Sequence, residues 1–387
     1  MKAVVFGGAG VIGSCSVDFL SKQDSFSEII IADINETRAK ELISKIENNE
    51  KIIFTKINAK DEKSLSNSLN DADVAINCIG PFYKYAPYII RAAIKKGVNY
   101  VDVCDDYDTT EILLNDYHKT AIDANITCIV GLGASPGLTN MIALYGSQQF
   151  TNVEEIKIFV TRGINEKAGA AIPYHMLHCW IGKIPIFING KFEKARGLID
   201  GKEYVNFPKP FGQIPVYYFG HPETVTIPRY LKNVKNVCCK GSFLPSEFRD
   251  ALLNLEELGL ISEDEIQVKD KNIKIIDFTA SYIENLRKKI SGEQRNIPDG
   301  GSIMVEISGL DESEQKTLRY SGTANMQQGT GTPAAIGAKM IIEGDINLKG
   351  VYAPEGCIPP EKFIMNFFGA EGFGDVWISF NQKMTGL

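Results

Sequence analysis

The first 33 residues admit few folds. Lys2-Ala3-Val4-Val5-Phe6 is a short apolar run with the composition of a buried parallel strand, and Gly7-Gly8-Ala9-Gly10-Val11-Ile12-Gly13 follows without a break. Ser14 to Ser21 reads as a helix with Val17 and Leu20 on one face, and a second apolar run, Ile29-Ile30-Ile31-Ala32, ends at Asp33. Gly8, Gly10 and Gly13 fit G-x-G-x-x-G, and Asp33 lies 20 residues after Gly13. Each residue type has a physical reason. The first glycine permits a tight turn, the second lets backbone approach a pyrophosphate, and the third lets helix and strand pack closely. The helix start offers unbonded N–H groups and a positive dipole end to phosphates. A carboxylate at the end of the second strand suits ribose hydroxyls and repels a 2′-phosphate, so Asp33 favours NAD. Arg38 nearby keeps NADP open as the alternative. The expected cofactor contacts are Gly8, Ala9, Gly10, Val11, Ile12 and Asp33.

Alternation continues through residue 135. Strands are expected at Ile52–Ile57, Asp73–Ile79, Asn99–Val103 and Thr127–Leu132, with helices at Glu36–Asn48, Asp61–Leu69, Tyr88–Lys96 and Thr110–Ala124 between them. This is the pattern of a doubly wound parallel sheet, whose ligands lie outside the carboxyl ends of the strands. Gly8, Asp33, Gly80, Asp105 and Gly133 fall on that rim. From about Val153 the pattern changes to extended segments separated by turns: Ile156–Val160, Ile184–Ile188, Gly190–Leu198, Gln213–Phe219, Lys235–Lys240 and Ile303–Ser308. A mixed or antiparallel sheet follows from that, carrying an amphipathic helix at Pro245–Leu258 and a charged stretch, Ile283–Gly292, that leads into a loop reaching Gly301. Thr332–Ile341 reads as a helix with Thr332 at its N-cap and Pro333 at its first position, returning to cover the first sheet. The expected architecture is α/β: a Rossmann-type doubly wound parallel sheet over residues 1–135, completed by about 330–387, plus a second α+β domain with a mixed or antiparallel sheet over 136–329.

Composition excludes several function classes. A net charge of −7, with lysines and glutamates scattered, leaves no basic footprint for nucleic acid. No apolar run approaches the ~18 residues of a membrane helix. The chain enters a core strand at once, which leaves no room for a signal peptide. Its eight cysteines contain no C-x-x-C pair, so a reduced, cytoplasmic protein without structural disulfides or a metal site is expected.

Seven segments then occur in a telling order: Gly7–Gly13, Asn77-Cys78-Ile79-Gly80-Pro81-Phe82, Tyr100–Asp106, Gly133-Ala134-Ser135-Pro136-Gly137-Leu138-Thr139-Asn140, His221-Pro222-Glu223-Thr224-Val225-Thr226-Ile227-Pro228-Arg229, Gly331–Met340 and Gly350–Gly356. Together they resemble the saccharopine dehydrogenase family, most closely its short members similar to lysine 6-dehydrogenase. The resemblance implies a Rossmann domain, a second domain inserted before the last helices, a homodimer, and chemistry that makes or breaks a C–N bond beside a hydride transfer. Saccharopine, lysine and carboxynorspermidine are substrates across the wider group. The implied activity is oxidation of a CH–NH or CH–NH2 bond in an amino-acid or polyamine substrate. The alternatives are reductive coupling of an aldehyde with an amine, and a non-catalytic dinucleotide sensor.

Such chemistry needs a base of near-neutral pKa and a binder for the substrate carboxylate. Asp105 and Asp106 end the fifth strand, where adjacent carboxylates suit a substrate ammonium; N-capping of the next helix is their alternative use. His221 is the natural proton shuttle, against the alternative of a satisfied loop histidine. Arg229 and Arg162 are candidates for bidentate carboxylate binding, against the alternative of surface arginines in weak ion pairs. The catalytic expectation is Asp105, His221 and Arg229. Lys240 is expected to be solvated, and a base only if buried. His175 and His178, three apart, lack a nearby third ligand and are expected to pack or line the substrate pocket. Cys78, Gly80 and Pro81 are expected along the cofactor, with Tyr83 and Tyr85 either at the substrate mouth or as ordinary surface aromatics, and Ser135-Pro136-Gly137 as a hinge.

Overall fold

A computed structural model describes residues 1–166, 169–293, 297–370 and 376–377. The chain divides into two compact units: Met1–Gln149 with Arg229–Lys232 and Met326–Phe373, and Phe150–Pro228 with Asn233–Asn325 and Gly374–Leu387.

The first unit is built on a parallel sheet. Strands β1 (Lys2–Phe6), β2 (Glu28–Asp33), β3 (Ile52–Lys56), β4 (Val74–Asn77), β5 (Asn99–Asp102) and β6 (Thr127–Ile129) are joined by a seventh, Gly350–Tyr352. From one edge the order is Gly350–Tyr352, β6, β5, β4, β1, β2, β3. Sequential strands run outward from β1 on one side and from β4 on the other, so strand order reverses between β1 and β4. Doubly wound sheets hold their ligand at such a point. The register pairs Val5 with Ile31 and Phe6 with both Ala32 and Asn77. The strands are near-continuous apolar runs because helices cover both faces: Phe6, Ile29, Ile31, Ile76 and Val101 are all fully buried.

The seventh strand was hidden in the sequence by its length of three residues. The helix expected from Thr332 in fact runs Met326–Ile342, so Thr332 and Pro333 are interior residues and not its cap and first position. Packing explains the extension. A Cβ on Gly331 would lie 2.5 Å from the Ile12 carbonyl oxygen and 2.8 Å from Cys15 Cβ, and the Ser16 hydroxyl donates to the Gly331 carbonyl at 2.7 Å. The helix thus seats its glycine stretch directly on the helix Gly13–Ser21, and this contact outweighs the hydrogen bond that Pro333 cannot donate. Two further helices are shorter than expected. The second stops at Ile43, and the fifth splits at Tyr117 into Tyr107–Asp116 and His118–Asp123. The segment Leu138–Ser147, which follows the Gly133–Gly137 turn, is helical and belongs to the first unit.

The second unit carries a nine-stranded mixed sheet among the described residues. Its centre is the strand Asn152–Gly163, paired in parallel with Asn236–Leu244 and antiparallel with Gly301–Asp311. Phe159, Val205, Phe207, Ile214, Val216 and Met304 form one of its apolar clusters. The strands Glu203–Phe207 and Glu314–Ala324 were not expected. The first is only five residues long, and the second is mostly charged or polar with only Leu318 and Tyr320 buried, too sparse an alternation to read. The charged stretch from Ile283 is the later part of a long helix, Ile275–Glu293. The loop expected beyond it lies partly outside the described residues. No helix among the described residues is long and apolar enough to cross a membrane.

Candidate functional site

The strand-order reversal of the first unit brings two loops together. After β1 the chain turns at Gly7, whose φ of +72° is the left-handed conformation glycine adopts without strain. The tight turn therefore belongs to Gly7 rather than to Gly8, the first glycine of the motif. Gly7 N–H donates to the Ala32 carbonyl at 2.9 Å, and Gly10 N–H to the Gly7 carbonyl at 2.9 Å. Gly13 has the third role assigned above in its strictest form: a Cβ there would lie 2.3 Å from the Gly7 oxygen and 2.8 Å from Gly8 Cα. The helix Gly13–Ser21 carries no acidic residue in its first turn, which leaves its positive end uncompensated by side-chain charge.

Asp33 ends β2 beside this loop. One carboxylate oxygen accepts from Ala9 N–H at 3.1 Å and the other from Asn35 N–H at 2.9 Å. The acid expected to meet a ribose also ties down the glycine loop. Asn35 caps the next helix through Arg38 N–H, and Arg38 is exposed in that helix's first turn. From the β4 side, Cys78 N–H donates to the Phe6 carbonyl at 2.9 Å, and Ile79 N–H to Asn77 Oδ1 at 2.9 Å. Gly7, Gly8, Gly10, Asp33, Cys78, Gly80 and Pro81 accordingly gather at one place, the carboxyl ends of β1, β2 and β4. Burial pushes the Cys78 thiol up to about 12, so it presents a neutral side chain.

Beneath this rim lies a buried network the sequence reading missed. Asp102, the last residue of β5, accepts from Gly131 N–H at 2.7 Å, Cys104 N–H at 3.0 Å and the Tyr100 hydroxyl at 2.8 Å. Tyr100 in turn accepts from Asn77 Nδ2 at 3.1 Å. Burial raises the Asp102 carboxyl to about 6, against the pull of its three donors. Beyond it, Asp105 is half-buried, whereas Asp106 is fully buried and accepts from Tyr83 N–H at 3.0 Å. Asp106 does stand at the N-cap of the helix Tyr107–Asp116, but its carboxylate makes no capping bond there. The Ser135–Gly137 turn closes on itself, with Gly133 N–H donating to the Pro136 carbonyl at 2.7 Å. Gly137 N–H binds Asn140 Oδ1, and Asn140 Nδ2 donates to the buried Glu355.

Arg229 also belongs to the first unit. It is exposed, and its guanidinium donates to Asn115 Oδ1 at 2.8 Å. His118 stacks edge-on against Tyr352 and meets the backbone of Val351 at 2.9 Å, a structural use.

In the second unit, His221 is buried at the start of the helix Pro222–Tyr230. Its Nδ1 lies 2.6 Å from an oxygen of Glu223, which is itself fully buried, and the Cys239 thiol contacts the same oxygen at 3.8 Å. An aromatic wall completes the surroundings. Phe219 packs on His221 with ring centroids 4.9 Å apart, Trp180 stacks on Phe219 at 3.9 Å, and His175 meets His221 edge-on at 5.6 Å. Trp180 Nε1 donates to His175 Nε2 at 3.3 Å, so His175 is a member of this packed group. Lys240 is buried, contrary to expectation. It pairs with Glu203 and sits over the Tyr218 ring at 4.6 Å. Arg162 reaches the buried Glu166 at 3.5 Å.

Known proteins fit this architecture along nearly the whole chain. The family model for the saccharopine dehydrogenase NADP binding domain matches residues 4–129, and that for the saccharopine dehydrogenase C-terminal domain matches 133–372. A carboxyaminopropylagmatine dehydrogenase from Synechocystis is 22% identical, with 94% of each chain covered. The NADP(+), L-glutamate-forming saccharopine dehydrogenase of Schizosaccharomyces pombe is 23% identical over 75% of this chain and 67% of its own. Among solved structures, apo saccharopine dehydrogenase from Saccharomyces cerevisiae superposes with a TM-score of 0.68 at 15% identity, covering 94% of this chain and 96% of that one. Homospermidine synthase from Legionella pneumophila, solved with NAD, gives 0.62 at 12% identity over 100% and 93%. The chain belongs to the saccharopine dehydrogenase family of NAD(P)-binding oxidoreductases.

Proposed function

We propose that this protein uses NAD(P) to oxidise or form the C–N bond between an amino-acid-bearing carbon chain and an amine. The observation that carries the reading is the assembled dinucleotide crevice in a chain that matches both family domains. Nicotinamide supplies the hydride chemistry, and the protein supplies orientation and proton transfer. In this reading Gly8 to Ile12 cradle the pyrophosphate, Asp33 faces the adenosine ribose, and Cys78, Gly80 and Pro81 flank the nicotinamide half. Asp105 holds the substrate ammonium, and His221 moves the proton that leaves or joins the nitrogen. Arg229, whose guanidinium donates to Asn115 Oδ1, is the candidate to bind the substrate carboxylate. The 94% mutual coverage with a carboxyaminopropylagmatine dehydrogenase favours a carboxyalkyl polyamine-type substrate, with reductive coupling as the synthetic direction. Saccharopine or lysine is the second reading, favoured by the family match itself.

The test is NAD(P)H turnover by the purified protein, run both ways. Oxidation is measured with saccharopine, lysine and a carboxyalkyl polyamine, and reduction with an amino-acid aldehyde plus a panel of amines. Turnover on the polyamine conjugate supports the leading reading, and turnover on saccharopine or lysine alone replaces it with the second. Tight NADH binding with silence across both panels would leave a dinucleotide sensor. Asp33→Ala should weaken NAD binding more than NADP binding, measured by titration of each; an unchanged preference would remove Asp33 from the ribose. We further read the protein as a homodimer from a reducing compartment; sedimentation at micromolar concentration checks the former.

A further inference from the structure

Glu223 is fully buried, and glutamates are almost never so unless they are paired. Its position offers three kinds of compensation. It lies in the first turn of the helix Pro222–Tyr230, where the helix dipole favours a negative charge. The His221 imidazole meets one of its oxygens at 2.6 Å. The Cys239 thiol meets that same oxygen, and Thr224 Oγ1 donates to the Cys239 sulfur at 3.6 Å. Burial and the neighbouring carboxylate together hold the Cys239 thiol well above its ordinary value, so it is a neutral donor here.

We propose that Glu223 is a positioning residue for His221: its carboxylate accepts the Nδ1–H, fixes the imidazole in that tautomer, and thereby assigns proton transfer to Nε2. The inference rests on the reading of His221 as the proton-transfer group. At 2.6 Å the imidazole nitrogen and the carboxylate oxygen are within hydrogen-bonding distance, and an ionised carboxylate can only accept. The aromatic wall of Phe219 and His175 restricts the ring plane. With tautomer and ring orientation both set, the base needs no reorganisation before it acts. His221, Glu223 and Cys239 are also residue types that bind metals. Nitrogen and oxygen ligands around zinc, each at about 2.0–2.2 Å in tetrahedral array, would however stand roughly 3.3 Å apart. The observed spacing is a proton's.

The experiment uses the full-length protein labelled with 15N-histidine. His221→Asn assigns the His221 signals among those of the four histidines. The wild type should show a protonated Nδ1 and an unprotonated Nε2. Glu223→Gln, whose amide can both donate and accept, should give a mixture of tautomers and roughly a hundredfold lower kcat, with KM and NADH affinity unchanged. Glu223→Asp should recover part of that loss. A protonated Nε2 in the wild type overturns the proposal without recourse to any variant. So does one tightly bound metal per chain by elemental analysis, or a Glu223→Gln enzyme within threefold of wild-type kcat. Full turnover by His221→Asn would instead overturn the proton-transfer reading itself. Loss of turnover in His221→Asn alone, with Glu223→Gln normal, would overturn only the positioning role.

Discussion

Gly13→Ala should remove NADH binding. The new methyl group would need to occupy space 2.3 Å from the Gly7 oxygen and 2.8 Å from Gly8 Cα, both backbone atoms that no rotamer change can move. The loop has little room to retreat. Its amides are committed to Ala32, Val5, Gly7 and the Asp33 carboxylate, at distances between 2.9 and 3.2 Å. The helix must therefore slide away from the strand it follows, and its N–H groups leave the point where they converge with the loop. Overpacking of this kind typically costs about 1–3 kcal/mol of stability. The loss of affinity should be larger, at least a hundredfold, because every phosphate contact depends on the same approach. Gly97→Ala is the matched control. Gly97 has φ +68° and nothing within 4 Å of its would-be Cβ, so an alanine there strains only the backbone, by roughly 1–2 kcal/mol, and should leave NADH affinity intact. Fluorescence titration of NADH against both variants decides the matter. Wild-type affinity in Gly13→Ala would show that the glycine is not needed for close packing.

This dependence was readable in the sequence because the requirement is local. A strand, a glycine turn, a helix and an acid within 33 residues constrain one another through backbone geometry alone. The doubly wound sheet was legible for the same reason: β1, β2, β4 and β5 are apolar runs closed by glycine or aspartate. Where long-range packing decides, the sequence misled. Pro333 reads as a helix start, but seating Gly331 on Ile12 and Cys15 extends the helix back to Met326. Glu314–Ala324 was not expected as a strand, yet it is paired along its whole length with Gly301–Asp311.

The candidate site divides in the same way. His221 stands out in the sequence because histidines are few, and Gly8 and Asp33 because their spacing is fixed. Glu223 was passed over because a glutamate after a proline looks like an ordinary first-turn residue. Only burial, together with its 2.6 Å approach to His221, marks it. Lys240 was expected in solvent because lysine usually is. Its pairing with Glu203 and Tyr218 comes from strands far apart in the chain. Asp102 was visible only as an acid inside the apolar run Tyr100–Val103, a local conflict that a sequence without a partner for it cannot resolve.

Asp102 carries the largest expected effect on folding. Asp102→Ala would orphan two backbone N–H groups, those of Cys104 and Gly131, and the Tyr100 hydroxyl, all buried. At about 1–3 kcal/mol for each stranded donor, partly relieved by relaxation, the loss should be about 4 kcal/mol, a large share of the ~5–15 kcal/mol that holds a typical protein folded. Urea denaturation would measure it, and a loss below about 1 kcal/mol would mean that the network is solvated. Asp102→Asn separates charge from hydrogen bonding. Its carbonyl can still accept from the two amides, but its NH2 group faces Tyr100 as a second donor. The wild-type carboxyl, raised to about 6 by burial, ionises later in the folded chain than in the unfolded one, where the ordinary value is near 4. The folded state therefore holds the extra proton between those two values. The wild type keeps this contribution fully below about pH 4, loses it progressively as pH rises to about 6, and is unchanged beyond. Two units of separation correspond to roughly 3 kcal/mol. Asparagine does not titrate, so the stability of wild type relative to Asp102→Asn should fall by about that amount between pH 4 and 6 and then level off. A difference that stays flat across this range would show that the three donors to Asp102 offset its burial, and one that grows with pH would show that they outweigh it.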